Sequence, residues 1–177
     1  MATIEIMTTG RIELSASGRT VAANVARLRA DRGWSLRKLS EALAEAGRGL
    51  SQDAINKIEN GAKLDDPKYA GKPPQIRRVD VDDLMALSVA LGVSPATLLL
   101  PHDARGVAGV TGVGEVDARL AWQWMFCHEP LTLPADEAEA DRAVTRFMLD
   151  SRPIGLFASE GDDRIPSMIR ERQGGDG

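Results

Sequence analysis

From Val21 onward, apolar residues fall at helical spacing along this chain. Val21, Val25 and Leu28 make one stripe, which Gly33 ends. Ser35 offers a cap for a second helix with Leu36, Leu39 and Leu43 inward, running to near Gly47, and "GRGL" follows as a turn. Ser51 caps a third, "SQDAINKIENG", in which Ile55 and Ile58 face inward and Gly61 is the stop. Asp80 or Asp82 starts a fourth, with Leu84, Leu87 and Leu91 inward and Gly92 closing it. Ser94 caps a fifth, with Pro95 at its first position, Leu98 and Leu99 on its apolar side and Pro101 blocking continuation.

The segments around these helices lack a sustained period. Residues 1–19, with "TIEIM" and "RIELS", read as an N-terminal arm of some strand character, a hairpin being the alternative. Ala62–Arg78, "AKLDDPKYAGKPPQIRR", reads as a long loop after the third helix, and loops of that length inside a domain usually serve a function or move. Beyond Pro101, "GVAGVTGVGEV" fits a loose strand or a linker, and "DARLAWQWMFCHEPL" a short helix carrying Trp122 and Trp124. Pro134–Leu149 predicts a helix, acidic at its start, with Ala143, Val144 and Phe147 inward. The expected fold is therefore all-α: an arm (1–19), a five-helix domain (20–101), a smaller, mostly helical C-terminal region (102–160) and a flexible tail (161–177).

Charge sharpens the division. The net charge of −4 conceals 14 Lys/Arg against 9 Asp/Glu in residues 1–79, and 8 Arg with no Lys against 14 Asp/Glu in residues 101–177. The first part can therefore present a positive face that the averaged charge hides. The single cysteine, Cys127, cannot make an internal disulfide; with no signal peptide and no apolar run near the roughly 18 residues of a membrane span, a soluble, cytoplasmic protein is expected.

Little supports catalysis. Cys127, His128 and Glu129 are adjacent, so they do not converge as nucleophile, base and orienter. One Cys and two His make a structural zinc site a poor fit, and "TGVGEV" has the wrong glycine spacing for a phosphate loop. No enzymatic activity, cofactor or metal is expected. Trp122 and Trp124 read as core or dimer contacts rather than a ligand box.

Three stretches in order, "VARLRADRGWSLRKLSEAL", "LSQDAINKIENG" and "VDDLMALSVALGVSPATLL", resemble the lambda-repressor-like helix-turn-helix family, also called the Cro-repressor or XRE family. The likeness covers Val21 to Leu100 and little beyond Pro101. It implies a five-helix DNA-binding domain whose third helix enters the major groove of double-stranded DNA. It also implies a homodimer on two half-sites and a transcriptional regulator, in the first instance a repressor, of which phage immunity repressors are one kind.

The residues support that expectation independently. Ser40 is small where the second helix must approach the third, and Ile55 and Ile58 turn inward, leaving Gln52, Asp53, Asn56 and Lys57 on the outer face. Gln and Asn can pair bidentately with adenine, Lys can donate to guanine, and a carboxylate can accept from cytosine N4. The resemblance places Ser35, the Leu36 backbone, Arg37 and Lys38 against one phosphate strand and Ser51 against the other. It makes Arg29 and Glu59 a structural ion pair between the first and third helices.

Two departures from the family add candidates. "ALAEAGRGL" is longer than the family's turn, bringing Arg48 towards a phosphate. The inserted loop carries Lys63, Lys68, Lys72, Arg77 and Arg78, suited to tracking phosphates or entering the adjacent minor groove. Dimerisation is assigned to the acidic C-terminal region. The alternatives are a protein-interaction module, antitoxin-like or polymerase-contacting, and a regulator with a small-molecule effector in the Trp122–Phe157 region.

Overall fold

The computed structural model describes residues 13–69 and 71–153; the tail, the end of the C-terminal region and most of the expected arm lie outside them. The described chain is mostly helical. Its elements are α1 (Ala16–Asp31), α2 (Leu36–Glu45), α3 (Gln52–Glu59), α4 (Val81–Ala90), α5 (Pro95–Leu99), β1 (Val107–Val110), β2 (Gly114–Asp117), α6 (Ala118–Met125) and α7 (Glu137–Ser151). Short 3-10 turns occupy Asn60–Lys63 and Pro67–Tyr69. The strands pair as a two-stranded sheet, which corrects the all-α expectation. Ala108 and Val110 of β1 are buried. Gly109 passes so close to α1 that an added Cβ would lie 2.8 Å from Ala16 Cβ. β1 thus forms where glycine permits the approach and alternate residues find cover, while β2 pairs with it along a largely exposed edge.

Two compact units divide the described chain, one of residues 13–103 and 108–115, the other of 104–107 and 116–153. In the first, α1 to α5 enclose a core in which Val25, Leu39, Leu43, Ile55, Leu87 and Leu98 are fully buried. Each helix start follows from a local cap. Ser35 accepts from the Lys38 N–H, Ser51 from Ala54, Asp80 from Asp83 and Ser94 from Ala96. Such caps typically contribute about 1 kcal/mol each. Asn24, buried on α1, donates through Nδ2 to the Leu98 and Leu100 carbonyls and so ties α1 to α5.

Two boundaries depart from the sequence expectation. α1 begins at Ala16, inside the stretch expected as an arm. Ser15 makes no side-chain cap; the Ser17 N–H instead donates to Thr111 Oγ1 at 3.2 Å, and Ser17 Oγ accepts from the Thr111 N–H at 3.0 Å. A partner 94 positions away satisfies the helix end, so no local pattern announces it. Gly61, expected as a stop, lies inside the 3-10 turn that continues α3, and its φ is not positive. A Cβ there would fall 2.6 Å from Leu14 Cδ1 and 2.9 Å from Ala22 Cβ, so glycine serves close packing at this position.

In the second unit, Ala118 and Ala121 of α6 are buried, while Trp122 and Trp124 are half-buried. On α7, Met148 is buried against Val144 and Leu149. α6 ends in a Schellman motif: His128 N–H donates to Gln123 O at 2.9 Å and Cys127 N–H to Trp124 O at 3.0 Å. Cys127 takes the left-handed position with φ of 59°. Its carbonyl accepts from Arg152 Nε at 3.0 Å, joining the end of α6 to the end of α7. Among the described residues no helix is long and apolar enough to cross a membrane.

Candidate nucleic-acid interface

α2, the connection after it and α3 form one braced unit. Ser40 Oγ donates to the Leu50 carbonyl at 2.5 Å, pinning the end of the connection against α2. Ile55 and Ile58 anchor α3 in the core at 0% and 1% exposure. Arg29 on α1 donates from Nε to Glu59 Oε1 at 2.6 Å and from Nη2 to Oε2 at 2.7 Å, while its Nη1 donates to the Trp34 carbonyl. The hydrogen bond to Glu59 raises the Arg29 pKa, against a smaller opposing effect of burial. The geometry makes this pair a brace, with its polar groups turned away from solvent.

The opposite face of α3 is polar and open. Gln52, Asp53 and Asn56 are exposed, and the Gln52 and Asn56 side chains have no hydrogen-bond partner among the described residues. Lys57 is half-buried, its Nζ 2.7 Å from Asp53 Oδ2 one turn back, so these two charges satisfy each other. Acid before base at this spacing is the helix-favoured order and is worth only a few tenths of a kcal/mol, about 0.2–0.5. An incoming polar partner can displace it cheaply.

The cations expected at phosphate fall into two groups. Lys38, Lys63, Lys68 and Lys72 are exposed and, among the described residues, hold no carboxylate. Lys63 donates to Asn60 Oδ1 at 2.8 Å, and Lys68 Nζ sits 5.6 Å from the Tyr69 ring centre. Arg37 makes an exposed ion pair with Glu41, and Arg78 donates to the Glu13 carbonyl. The Ser35 and Ser51 hydroxyls are taken up as caps, with the free N–H groups of the α2 and α3 starts beside them.

Arg48 and Arg77 are placed otherwise than expected. Both turn to Asp83, which is 0% exposed. Arg48 Nε donates to Asp83 Oδ1 at 2.9 Å, Nη2 to Asp80 Oδ2 at 2.9 Å, and Nη1 lies 4.0 Å from Asp82. Arg77 Nη2 lies 2.8 Å from Asp83 Oδ2, an ion pair without hydrogen-bond alignment. The hydrogen bond to Asp83, with the nearby Asp80, raises the Arg48 pKa. Asp80 is held below the usual carboxylate range, chiefly by the Asp83 N–H it accepts as α4's cap, with Arg48 and Arg77 adding to that. The sequence reading missed Asp83, although it stands four residues before Leu87 on the inward side of α4. A carboxylate there requires cationic partners.

The inserted segment is tied at several points. Arg19 on α1 grips Asp65 with Nη1 at 2.7 and 2.8 Å from its two oxygens. Asn60 Nδ2 donates to the Gln75 carbonyl at 3.1 Å, and the Arg77 N–H donates to the Lys57 carbonyl at 3.0 Å. Lys68 and Lys72 lie between these ties. Compared with protein-family models, with curated proteins and with solved structures, the chain shows no match.

Proposed function

We propose that this protein is a sequence-specific, DNA-binding transcriptional regulator with a lambda-repressor-like first unit, acting as a repressor. The observation that carries this reading is the two-sided character of α3. Its inner side is locked by Ile55, Ile58 and the Arg29–Glu59 brace, while Gln52, Asp53, Asn56 and Lys57 stand on the outer side. A rigid helix with amide and ammonium groups one turn apart has the means to read base edges in the major groove. Capped helix starts at Ser35 and Ser51, with Lys38 nearby, supply the phosphate contacts that fix its register. A homodimer, joined through the acidic C-terminal region, would present two such helices to half-sites a helical turn apart. Occupying an operator requires no catalysis, cofactor or metal.

Selection of duplexes from a random-sequence pool by the purified full chain tests this. A recovered site whose preference relaxes at one or two base pairs on Asn56→Ala or Gln52→Ala is the expected result. Failure to enrich any site at low salt, with both substitutions without effect, overturns it.

A protein-interaction module is the second reading, and one observation favours it. Val81, Met85 and Val89 make an exposed apolar stripe along α4, at 76%, 50% and 67% exposure. Under that reading Met85→Lys abolishes function while Asn56→Ala leaves it intact; a DNA reader behaves in the opposite way.

A further inference from the structure

We propose that Asp83 is a positioning residue for DNA recognition: through Arg48 and Arg77 it seats the 62–78 segment against α3, so that Lys68 and Lys72 meet phosphates flanking the bases that α3 reads. This rests on the proposed DNA-binding function. Asp83 is fully buried, and each of its oxygens faces a different guanidinium. Arg48 comes from the connection between α2 and α3, and Arg77 from the end of the inserted segment. A buried carboxylate with these partners removed is strongly unfavourable, so it draws both elements to one point on α4. The Arg77 main chain carries the tie onward, since its N–H donates to the carbonyl of Lys57, a residue of the outer face of α3. The Asn60–Gln75 and Arg19–Asp65 contacts close the base of the segment, leaving Lys68 and Lys72 between the fixed points.

Arg48 and Arg77 are consequently poor phosphate ligands. Arg48 commits Nε to Asp83 and Nη2 to Asp80, with Asp82 4.0 Å from Nη1, so a phosphate would compete with a cluster of three carboxylates. The two lysines carry no such partner. The segment thus divides into an inner arginine that sets its position and outer lysines that supply charge.

Salt dependence separates the two roles. Removing a cation that sits on a phosphate lowers the slope of log affinity against log salt by about 0.9, whereas a positioning residue neutralises no phosphate of its own. With the full chain and the duplex recovered from site selection, Arg77→Gln is expected to weaken binding about tenfold, the scale of a single side chain–base pairing. Added to a Lys68→Ala, Lys72→Ala double variant, where the cations it seats are already gone, Arg77→Gln should leave the salt slope unchanged. Arg77→Lys should recover part of the lost affinity. In the DNA-free protein, amide hydrogen exchange in residues 60–78 should accelerate in Arg77→Gln and in Asp83→Asn, with α1 and α5 amides unaffected. A further drop in slope of about 0.9 when Arg77→Gln is added to the double lysine variant would make Arg77 a phosphate ligand and overturn the proposal. Unchanged exchange in 60–78 for Arg77→Gln would overturn it as well, whether or not Asp83→Asn folds. Absence of any selectable duplex would sink the DNA-binding reading, and the exchange comparison would then decide the Asp83 clasp by itself.

Discussion

Arg29 holds both carboxylate oxygens of Glu59, with Nε and Nη2 at 2.6 and 2.7 Å, across the junction of α1 and α3. The Glu59 side chain is only 9% exposed, so removing its partner leaves a nearly buried charge uncompensated. Arg29→Met is expected to cost about 3 kcal/mol of unfolding free energy, and adding Glu59→Leu should recover much of that loss. Urea unfolding of the two single variants and the double variant measures the coupling directly. Additive losses would show that the pair is no brace.

Gly61 should reject any side chain. A methyl there meets Leu14 and Ala22 closer than contact distance, because the turn after α3 packs directly on α1 and on Leu14 just ahead of it. Gly61→Ala is expected to destabilise by about 1–3 kcal/mol through overpacking, and Leu14→Ala in the same chain should relieve part of the cost. Thermal unfolding followed by circular dichroism checks both. A stabilised Gly61→Ala would mean that helix propensity outweighs the steric clash.

Acid sensitivity should trace in part to Asp80. Its carboxyl pKa is lowered in the folded state, mainly by the Asp83 N–H. The unfolded chain therefore binds a proton more readily than the folded one in that window. The stabilisation is fully present above the ordinary aspartate value, about 3.9, and is lost as pH falls through the lowered folded value. Asp80→Asn retains a cap acceptor but lacks this titration. Its stability should fall less steeply than that of the parent between pH 5 and the acid limit (about 2), as read from unfolding curves across pH.

Charge on the inserted segment should act without regard to sequence. Lys68→Ala with Lys72→Ala is expected to lower the salt slope of DNA binding by roughly 0.9 per phosphate released and to weaken selected and scrambled duplexes alike. Fluorescence anisotropy over a salt series reads both quantities. A loss confined to the selected duplex would assign the lysines to bases.

Cys127 occupies a left-handed position where a side chain is unfavourable. Cys127→Gly keeps the backbone bonds to Trp124 and Arg152 and gives up only a long thiol interaction, 3.6 Å to the Ser151 carbonyl. Stability of the second unit should rise by about 1 kcal/mol, seen as slower hydrogen exchange in α6. Faster exchange would assign the thiol interaction the larger share.

The helices of the first unit were readable from local chemistry. Ser35, Ser51, Asp80 and Ser94 cap helices because each side chain satisfies an N–H two or three residues ahead, and Leu39, Leu43, Ile55 and Leu87 are buried where the spacing put them. The two-sided face of α3 was equally legible, since helical periodicity alone separates Ile55 and Ile58 from Gln52 and Asn56.

Other features depend on residues far apart in the chain. The start of α1 is satisfied by Thr111, Gly61 is required by Leu14 and Ala22, and Arg48 and Arg77 are claimed by Asp83. Sequence by itself determined which segments are helical, which face of each is apolar and where cationic side chains concentrate, because those follow from neighbours within a helical turn. Only the tertiary structure decided which cations remain open to solvent and which are drawn to a buried carboxylate. Burial converts a weak surface attraction into an obligatory pairing, and burial is settled by the packing of the whole unit.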